Sequence, residues 1–368
     1  MRRLVEGTLV LLGVGLVATA IATNQRWLDR HFLPSFFIQR QTYVLLEMAV
    51  RVGLGALGAC LVLVRQRIGR AAAASPSQLP SVAVAAVLGL AASEVLLRVV
   101  HLRPAEWLGR NEEPLRQADA RIGWTFVPSR TGRETIGGRN VDYTFDAAGF
   151  RVRRVEEPVD ATQPTALFTG ESVMFGKGLT WEESIPAQVG KRLGAQSANI
   201  AVDGYGNDQA YLRLETELPR FRHPVAVVSM FITTLLGRNL DDDRPHLGPG
   251  LEWRPAVAHG RLRTLLQLVA PYRRDETVDN GIAVTREILR ATAQLAMARH
   301  ATPLVLVLRV GPENDLERRL RQRVLDDIGV PFVGVEIDPA WRLSGDVHPN
   351  ADAARVIADA VAAELMQR

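Results

Sequence analysis

Cysteine is almost absent from this 368-residue chain: its one thiol, Cys60, sits in an apolar run. A single cysteine excludes a disulfide framework and any CxxC metal site, and it says nothing about redox compartment. Lysine is nearly as scarce. Lys177 and Lys191 stand alone, so the net charge of +4 and the pI near 9.6 come from arginine. No block of five like charges occurs, which argues against a nucleic-acid-binding tail. With 47% hydrophobic and 23% charged residues, wholesale disorder is excluded, and the length suits two or three structural units.

Charge is also missing from the whole stretch Gly7 to Gln25. Such a stretch spans roughly 28 Å as a helix, close to a bilayer core. Met1-Arg2-Arg3 ahead of it favours a cytoplasmic flank. Ala18-Thr19-Ala20 resembles a signal-peptide cleavage site, so an uncleaved anchor and a cleaved leader are both expected readings. A second span is predicted over Tyr43 to Val64, where Glu47 and Arg51 stand four apart and are expected to pair on one helix face. A third runs from Pro80 to Val100, with Glu94 and Arg98 near its end. Arg65-Gln66-Arg67-Ile68-Gly69-Arg70 between them reads as a basic cytoplasmic loop. Residues 1–101 thus read as a membrane region with about three transmembrane helices, and everything after His101 is expected outside the cytoplasm. With so few spans, a transporter is the weaker reading of this region.

Residues 102–164 form a polar connector with a small β appendage. Gly123-Trp124-Thr125-Phe126-Val127 and Val141-Asp142-Tyr143-Thr144-Phe145 look extended, with Gly137-Gly138 as a turn between them. From Thr165 strands and helices alternate. Strands are expected at Ala166–Thr169, Ala198–Val202, Val225–Phe231, Pro303–Leu308 and Pro331–Val335. Helices are expected at Glu183–Leu193, Asp208–Leu218, Thr285–Arg299, Glu317–Ile328 and Asn350–Met366. That alternation predicts a parallel sheet covered by helices on both faces, binding its ligand at the carboxyl ends of the strands.

Chemistry-bearing residues fall at those ends. Ser172 follows the first strand, and Asp346 and His348 stand two apart just before the last helix. Acyl transfer needs a hydroxyl, an imidazole to take its proton and a carboxylate to orient the imidazole. The sheet can bring these three together.

Here the chain resembles the SGNH (GDSL-type) hydrolase superfamily over residues 165–368. Gly170-Glu171-Ser172 resembles the first block, with Glu where Asp is more frequent. Gly204, within Ala201-Val202-Asp203-Gly204-Tyr205-Gly206-Asn207, resembles the second-block glycine. Asp346-Val347-His348-Pro349-Asn350 resembles the last block, with one residue between acid and base where two are commoner. The third-block asparagine that supplies an oxyanion donor is displaced: after the third strand the nearest is Asn239, with Asn207 and the Thr233 and Thr234 hydroxyls as other donors. The resemblance implies a three-layer α/β/α flavodoxin-like domain. It also implies Ser172 as nucleophile, His348 as base and then acid, Asp346 as its orienter, and an oxyanion site from Ser172, Gly204 and Asn239. It implies no metal and no organic cofactor.

Asp241-Asp242-Asp243 reads as a solvated acidic loop rather than a cation site, and His223, His246, His259 and His300 as loop or surface residues. Gly170 to Lys177 fails as a phosphate loop, because five residues separate its glycines and Gly178 replaces the needed Ser or Thr. The expected protein is a membrane-anchored serine esterase acting outside the cytoplasmic membrane, with an O-acyl ester on an envelope glycan or a lipid as its substrate. Transfer of the acyl group to a sugar hydroxyl, and a non-catalytic binder on the same scaffold, stand as alternatives.

Overall fold

The computed structural model describes residues 2–75, 78–102, 106 and 113–368. Met1 and most of the connector's first ten residues, both used in the sequence reading, lie outside the described residues. The chain divides into two compact units: Met1–Leu102 with His259–Asp275, and Arg103–Ala258 with Glu276–Arg368.

The first unit is helical: α1 (Arg2–Ala22), α2 (Gln25–His31), α3 (Arg40–Ala74) and α4 (Gln78–Leu96), joined by α8 (Arg261–Val269) from the later segment. Three of its helical stretches, Arg2–Ala22, Arg40–Ala74 and Pro80–Val99, are long and apolar enough to cross a membrane. α1 and α3 pack antiparallel at backbone contact. A Cβ on Gly13 would lie 2.6 Å from the Gly58 carbonyl oxygen, and one on Gly58 would lie 2.5 Å from that of Gly13. Small residues at such a crossing let dispersion forces act where lipid offers no hydrophobic drive.

Two expectations change here. Arg65 to Arg70 is not a loop but the last third of α3, made of good helix formers and seated with Gly69 against the Glu6 side chain. Glu47 and Arg51 do not pair with each other. Gln25 Nε2 donates to Glu47 at 2.9 Å and Arg51 Nε donates to the Ala20 carbonyl at 3.1 Å, so both serve the turn after α1.

The second unit is a three-layer α/β/α domain around an eight-stranded sheet. Its strands are β3 (Arg130–Ile136), β4 (Arg139–Phe145), β5 (Arg151–Val152), β6 (Pro164–Phe168), β7 (Gln196–Asn199), β8 (His223–Phe231), β11 (Thr302–Val310) and β12 (Phe332–Ile337). They lie in the order β12-β11-β8-β6-β7-β5-β4-β3. The first five of that order are mutually parallel, and β5, β4 and β3 extend the sheet antiparallel from the β7 edge. The connector's β structure is therefore mostly part of the main sheet, with only the hairpin β1 (Arg116–Asp119) and β2 (Gly123–Phe126) separate from it; β9 (His246–Leu247) and β10 (Trp253–Arg254) form another small hairpin.

Buried β6 and β8, covered on both faces, read as near-continuous apolar runs, as central parallel strands should. α6 (Ile185–Leu193) and α11 (Ala351–Met366) pack together on one side. On the other, Leu214 of α7 (Asn207–Glu217) and Ala296 of α9 (Asp275–Ala298) join Leu167 and Val227 in one core, with α10 (Asp315–Leu325) beside α9. The chain leaves β6 toward β7 on one side, while β8 lies on the other. The carboxyl end of β6 is therefore a switch point, the crevice where open α/β sheets bind ligands.

Candidate active site

β6 ends at the switch point and runs through Gly170 into α5 (Ser172–Phe175). Gly170 has φ +155, and a Cβ there would lie 2.9 Å from Met230 Cγ, so the tight exit from the strand needs glycine. Glu171 caps α5 by accepting from the Val173 N–H at 3.0 Å, and Gly176 closes it in the left-handed region. Behind this turn lies the fully buried Arg151. It donates to the carbonyls of Phe175 at 2.7 Å, Gly176 at 2.8 Å and Leu179, with its guanidinium 4.9 Å from the Tyr143 and Phe175 ring centres. Burial pulls its pKa down to about 10, which leaves it charged at neutral pH.

The loop between β12 and α11 brings the other two residues. It is a tight structure: Asp346 N–H donates to Leu343 O, Leu343 N–H to His348 O, and Asn350 caps α11. His348 Nε2 lies 2.8 Å from Ser172 Oγ, and His348 Nδ1 lies 2.5 Å from Asp346 Oδ1. The same carboxylate oxygen accepts the His348 backbone N–H at 2.8 Å. The side-chain bond to His348 is the main reason the Asp346 carboxyl is held down at about 2; burial opposes it, and the backbone bond and the charges of His348 and Lys177 add to it.

Ser172 Oγ has a second neighbour, Glu171 Oε2 at 2.5 Å. The hydroxyl owns one proton and cannot donate it to both Glu171 and His348. Arg238, on the 3₁₀ turn Thr233–Leu240 after β8, reaches the same Glu171 oxygen with Nη1 at 3.5 Å and the Tyr205 carbonyl at 3.2 Å. Burial lowers the Arg238 pKa, and the Glu171 carboxylate works against that. Lys177 Nζ bonds Glu134 at 2.8 Å and lies 3.6 Å from Asp203. Burial pushes the Asp203 carboxyl up, but Lys177, His348, Arg116 and Arg238 together hold it below its ordinary value.

Gly204 stands at φ +85, and a Cβ there would crowd the Trp124 ring at 3.2 Å. Among the described residues the backbone N–H groups of Ser172 and Gly204 donate to no protein acceptor. Asn239 is placed differently from the sequence expectation. Its Nδ2 donates to Asn207 Oδ1 at 3.0 Å and Thr285 Oγ1 at 2.9 Å, which uses both amide hydrogens, and its Oδ1 accepts the Asn207 N–H at 2.8 Å. Asn207 in turn donates to the Met230 carbonyl at 2.7 Å, and the buried Thr233 hydroxyl has no partner among the described residues.

Sequence reading missed Arg238, Lys177 and Asp203. Each adjoins a quoted motif, and the available signal was a charged residue at a strand end rather than the motif residue itself. Asp241 and Asp243 face the buried Arg244 at 3.5 and 3.7 Å, and no group of three His, Cys, Asp or Glu able to hold a metal occurs among the described residues.

No family model and no curated protein matches the chain. Several solved structures resemble it at low identity. One is a protein from Desulfitobacterium hafniense assigned to the G-D-S-L lipolytic family, with 11% identity over 55% of this chain and 99% of that one, TM-score 0.36. Another is the acetyl xylan esterase Est2A of Butyrivibrio proteoclasticus, with 12% identity over 57% and 66%, TM-score 0.35. A third is a family two carbohydrate esterase from Cellvibrio japonicus, with 14% identity over 57% and 63%, TM-score 0.35. Likeness at this level transfers no residue roles, so the chemistry below is read from this chain's own atoms.

Proposed function

We propose that the chain is a membrane-anchored serine esterase of SGNH type, acting on an O-acyl ester by a Ser172–His348–Asp346 mechanism. One observation carries the reading: an unbroken line of contacts from Oγ to Nε2 at 2.8 Å and from Nδ1 to a depressed carboxylate at 2.5 Å, at the crevice of the sheet. Asp346 holds the ring with its proton on Nδ1, leaving the Nε2 lone pair for the serine. Once the Glu171 carboxylate turns from Oγ toward Arg238, the hydroxyl donates to His348. Oγ then bonds the ester carbonyl carbon while Nε2 takes the proton. The oxyanion meets the N–H groups of Ser172 and Gly204, while Arg238 holds the Glu171 carboxylate away from Oγ. The imidazolium protonates the leaving alcohol as the C–O bond breaks, and water or an acceptor hydroxyl then takes the acyl group from Ser172.

The three apolar helices support placing this chemistry at a membrane, with residues 1–101 spanning it, 102–164 connecting and 165–368 carrying the site on the extracytoplasmic face. An ester on an envelope glycan or lipid suits that location. The test uses the full chain in detergent with a fluorophosphonate probe and p-nitrophenyl acetate. Labelling of wild type that vanishes in Ser172→Ala is expected. A folded wild type that neither labels nor turns over would leave a non-catalytic binder. Turnover that rises with added sugar alcohols and yields acylated sugar would make the enzyme a transferase.

A further inference from the structure

We infer that His259–Asp275 is an interfacial membrane clamp, with α8 lying in the lipid headgroup layer and its Leu262, Leu266 and Val269 stripe turned to the acyl chains. The inference rests on the membrane reading above and says which further part of the chain meets lipid.

The polarity of α8 is inverted for a helix in water. Its buried residue is a threonine, Thr264, while Leu266 and Val269 are 65% and 76% exposed. Half-buried Leu262 and exposed Leu266 and Val269 follow i, i+4, i+7 spacing and so share one face, with exposed Arg263 at its border and Ala270 just past the helix end. In a water-soluble domain that face would pack inward. Turned outward beside basic residues, it has the composition of a helix lying in the membrane interface.

Lipid is the indicated occupant because one end of the segment is fixed to the third apolar helix and the other to α2, directly after the first. Gly260 precedes α8 and has no side chain to cap it, and Glu94 of α4 supplies the acceptor instead. Its carboxylate takes the N–H groups of Arg261 at 2.7 Å and Leu262 at 2.9 Å. At the other end Tyr272 stacks on Trp27 at 5.8 Å and on His31 at 5.1 Å between ring centres. The Arg273 N–H donates to His31 O, and His31 Nδ1 bonds Arg273 O, both at 2.8 Å. Trp, Tyr and Arg beside the end of an apolar span are what the headgroup layer selects. His31 follows the first span and Glu94 ends the third. A clamp holding both puts those two ends on one side of the bilayer, which requires α3 to cross.

The test is site-directed fluorescence on the full chain with Cys60→Ser, in phosphatidylcholine–phosphatidylglycerol vesicles. Single cysteines at Leu266→Cys, Val269→Cys, Leu88→Cys and Arg319→Cys carry an environment-sensitive nitrobenzoxadiazole dye. Blue-shifted emission at 266 and 269 is expected, quenched about twofold more by a shallow doxyl lipid than by a deep one. Position 88 in α4 reports the membrane reading itself, with deep quenching expected, and 319 reports water. Deep quenching at 88 with water-like, iodide-quenched emission at both 266 and 269 overturns the clamp alone; water-like emission at 88 as well overturns both. A blue shift at 266 that ignores doxyl lipids and grows with protein concentration assigns the stripe to a second copy, and also overturns the clamp.

Discussion

Asp346→Asn tests the proposed chemistry most sharply, because one oxygen of Asp346 does two jobs. It accepts the His348 ring Nδ1 at 2.5 Å and the His348 backbone N–H at 2.8 Å. An asparagine of the same shape must present either its oxygen or its amide nitrogen to the ring. The nitrogen drives the ring proton onto Nε2, where it blocks removal of the serine proton. The oxygen keeps the tautomer but loses the charge that stabilises the imidazolium. A carboxyl held at about 2 rather than 3.8 is coupled to its partners by about 2 kcal/mol, less after solvent screening because part of the group is exposed. Charge loss alone then costs about tenfold in rate, and tautomer loss raises this toward about 10⁴. The expected result is a fall in kcat of about 10–10⁴ with KM nearly unchanged, measured on p-nitrophenyl acetate with active sites counted by fluorophosphonate. A folded Asp346→Asn chain whose kcat stays within about threefold of wild type would refute the role given to that carboxylate.

Arg238→Gln should lower kcat by about tenfold or more while leaving KM close to wild type, because Glu171 then keeps its hold on the Ser172 hydroxyl; a change confined to KM would reassign Arg238 to substrate binding. Arg151→Met should lower the thermal midpoint of the α/β unit, since three carbonyls lose a buried charged donor at a cost of about 3 kcal/mol or more; an unchanged midpoint by calorimetry would show that the pocket repacks freely. Gly58→Leu should separate α1 from α3, read as lost protection of single cysteines at that crossing in detergent, because a side chain there meets backbone at 2.5 Å. The depressed Asp346 carboxyl contributes stability that is complete above its unfolded value near 4 and disappears as pH falls through about 2. Acid unfolding of Asp346→Asn should therefore lack that component, and superimposable acid titrations of the two proteins would contradict it.

The sheet and the serine–imidazole–carboxylate set were legible because they rest on short-range signals: apolar runs of strand length, and polar residues immediately after them. What escaped was decided by tertiary partners. β3 reads Arg-Thr-Gly-Arg-Glu-Thr-Ile, with little to bury, and is a strand because β4 pairs along its whole length. β7 was expected at Ala198–Val202 and lies at Gln196–Asn199, where its polar first residues pair with β6. α9 begins ten residues before the expected Thr285, through a stretch whose buried Val278, Gly281 and Ile282 keep helical i, i+3, i+4 spacing but whose Asn280-Gly281 pair reads as a turn. Glu47 and Arg51 show the limit of spacing rules: four apart on one face, they still bond to groups on a different helix and turn. Asn239 shows it again. Its proximity in sequence to the third strand is real, but Asn207 and Thr285 claim its amide, and the neighbouring arginine is the group that reaches the Glu171 carboxylate beside Ser172.

The antiparallel addition of β5, β4 and β3 bears on how the α/β unit can be handled in isolation. A fragment cut at Thr165, where strand–helix alternation begins, would leave the rim of β7 bare. It would also remove the guanidinium of Arg151 from beneath the nucleophile turn. A soluble piece that keeps its shape has to start upstream of β3, so excision at the apparent start of the strand–helix alternation should yield aggregate instead of a folded unit.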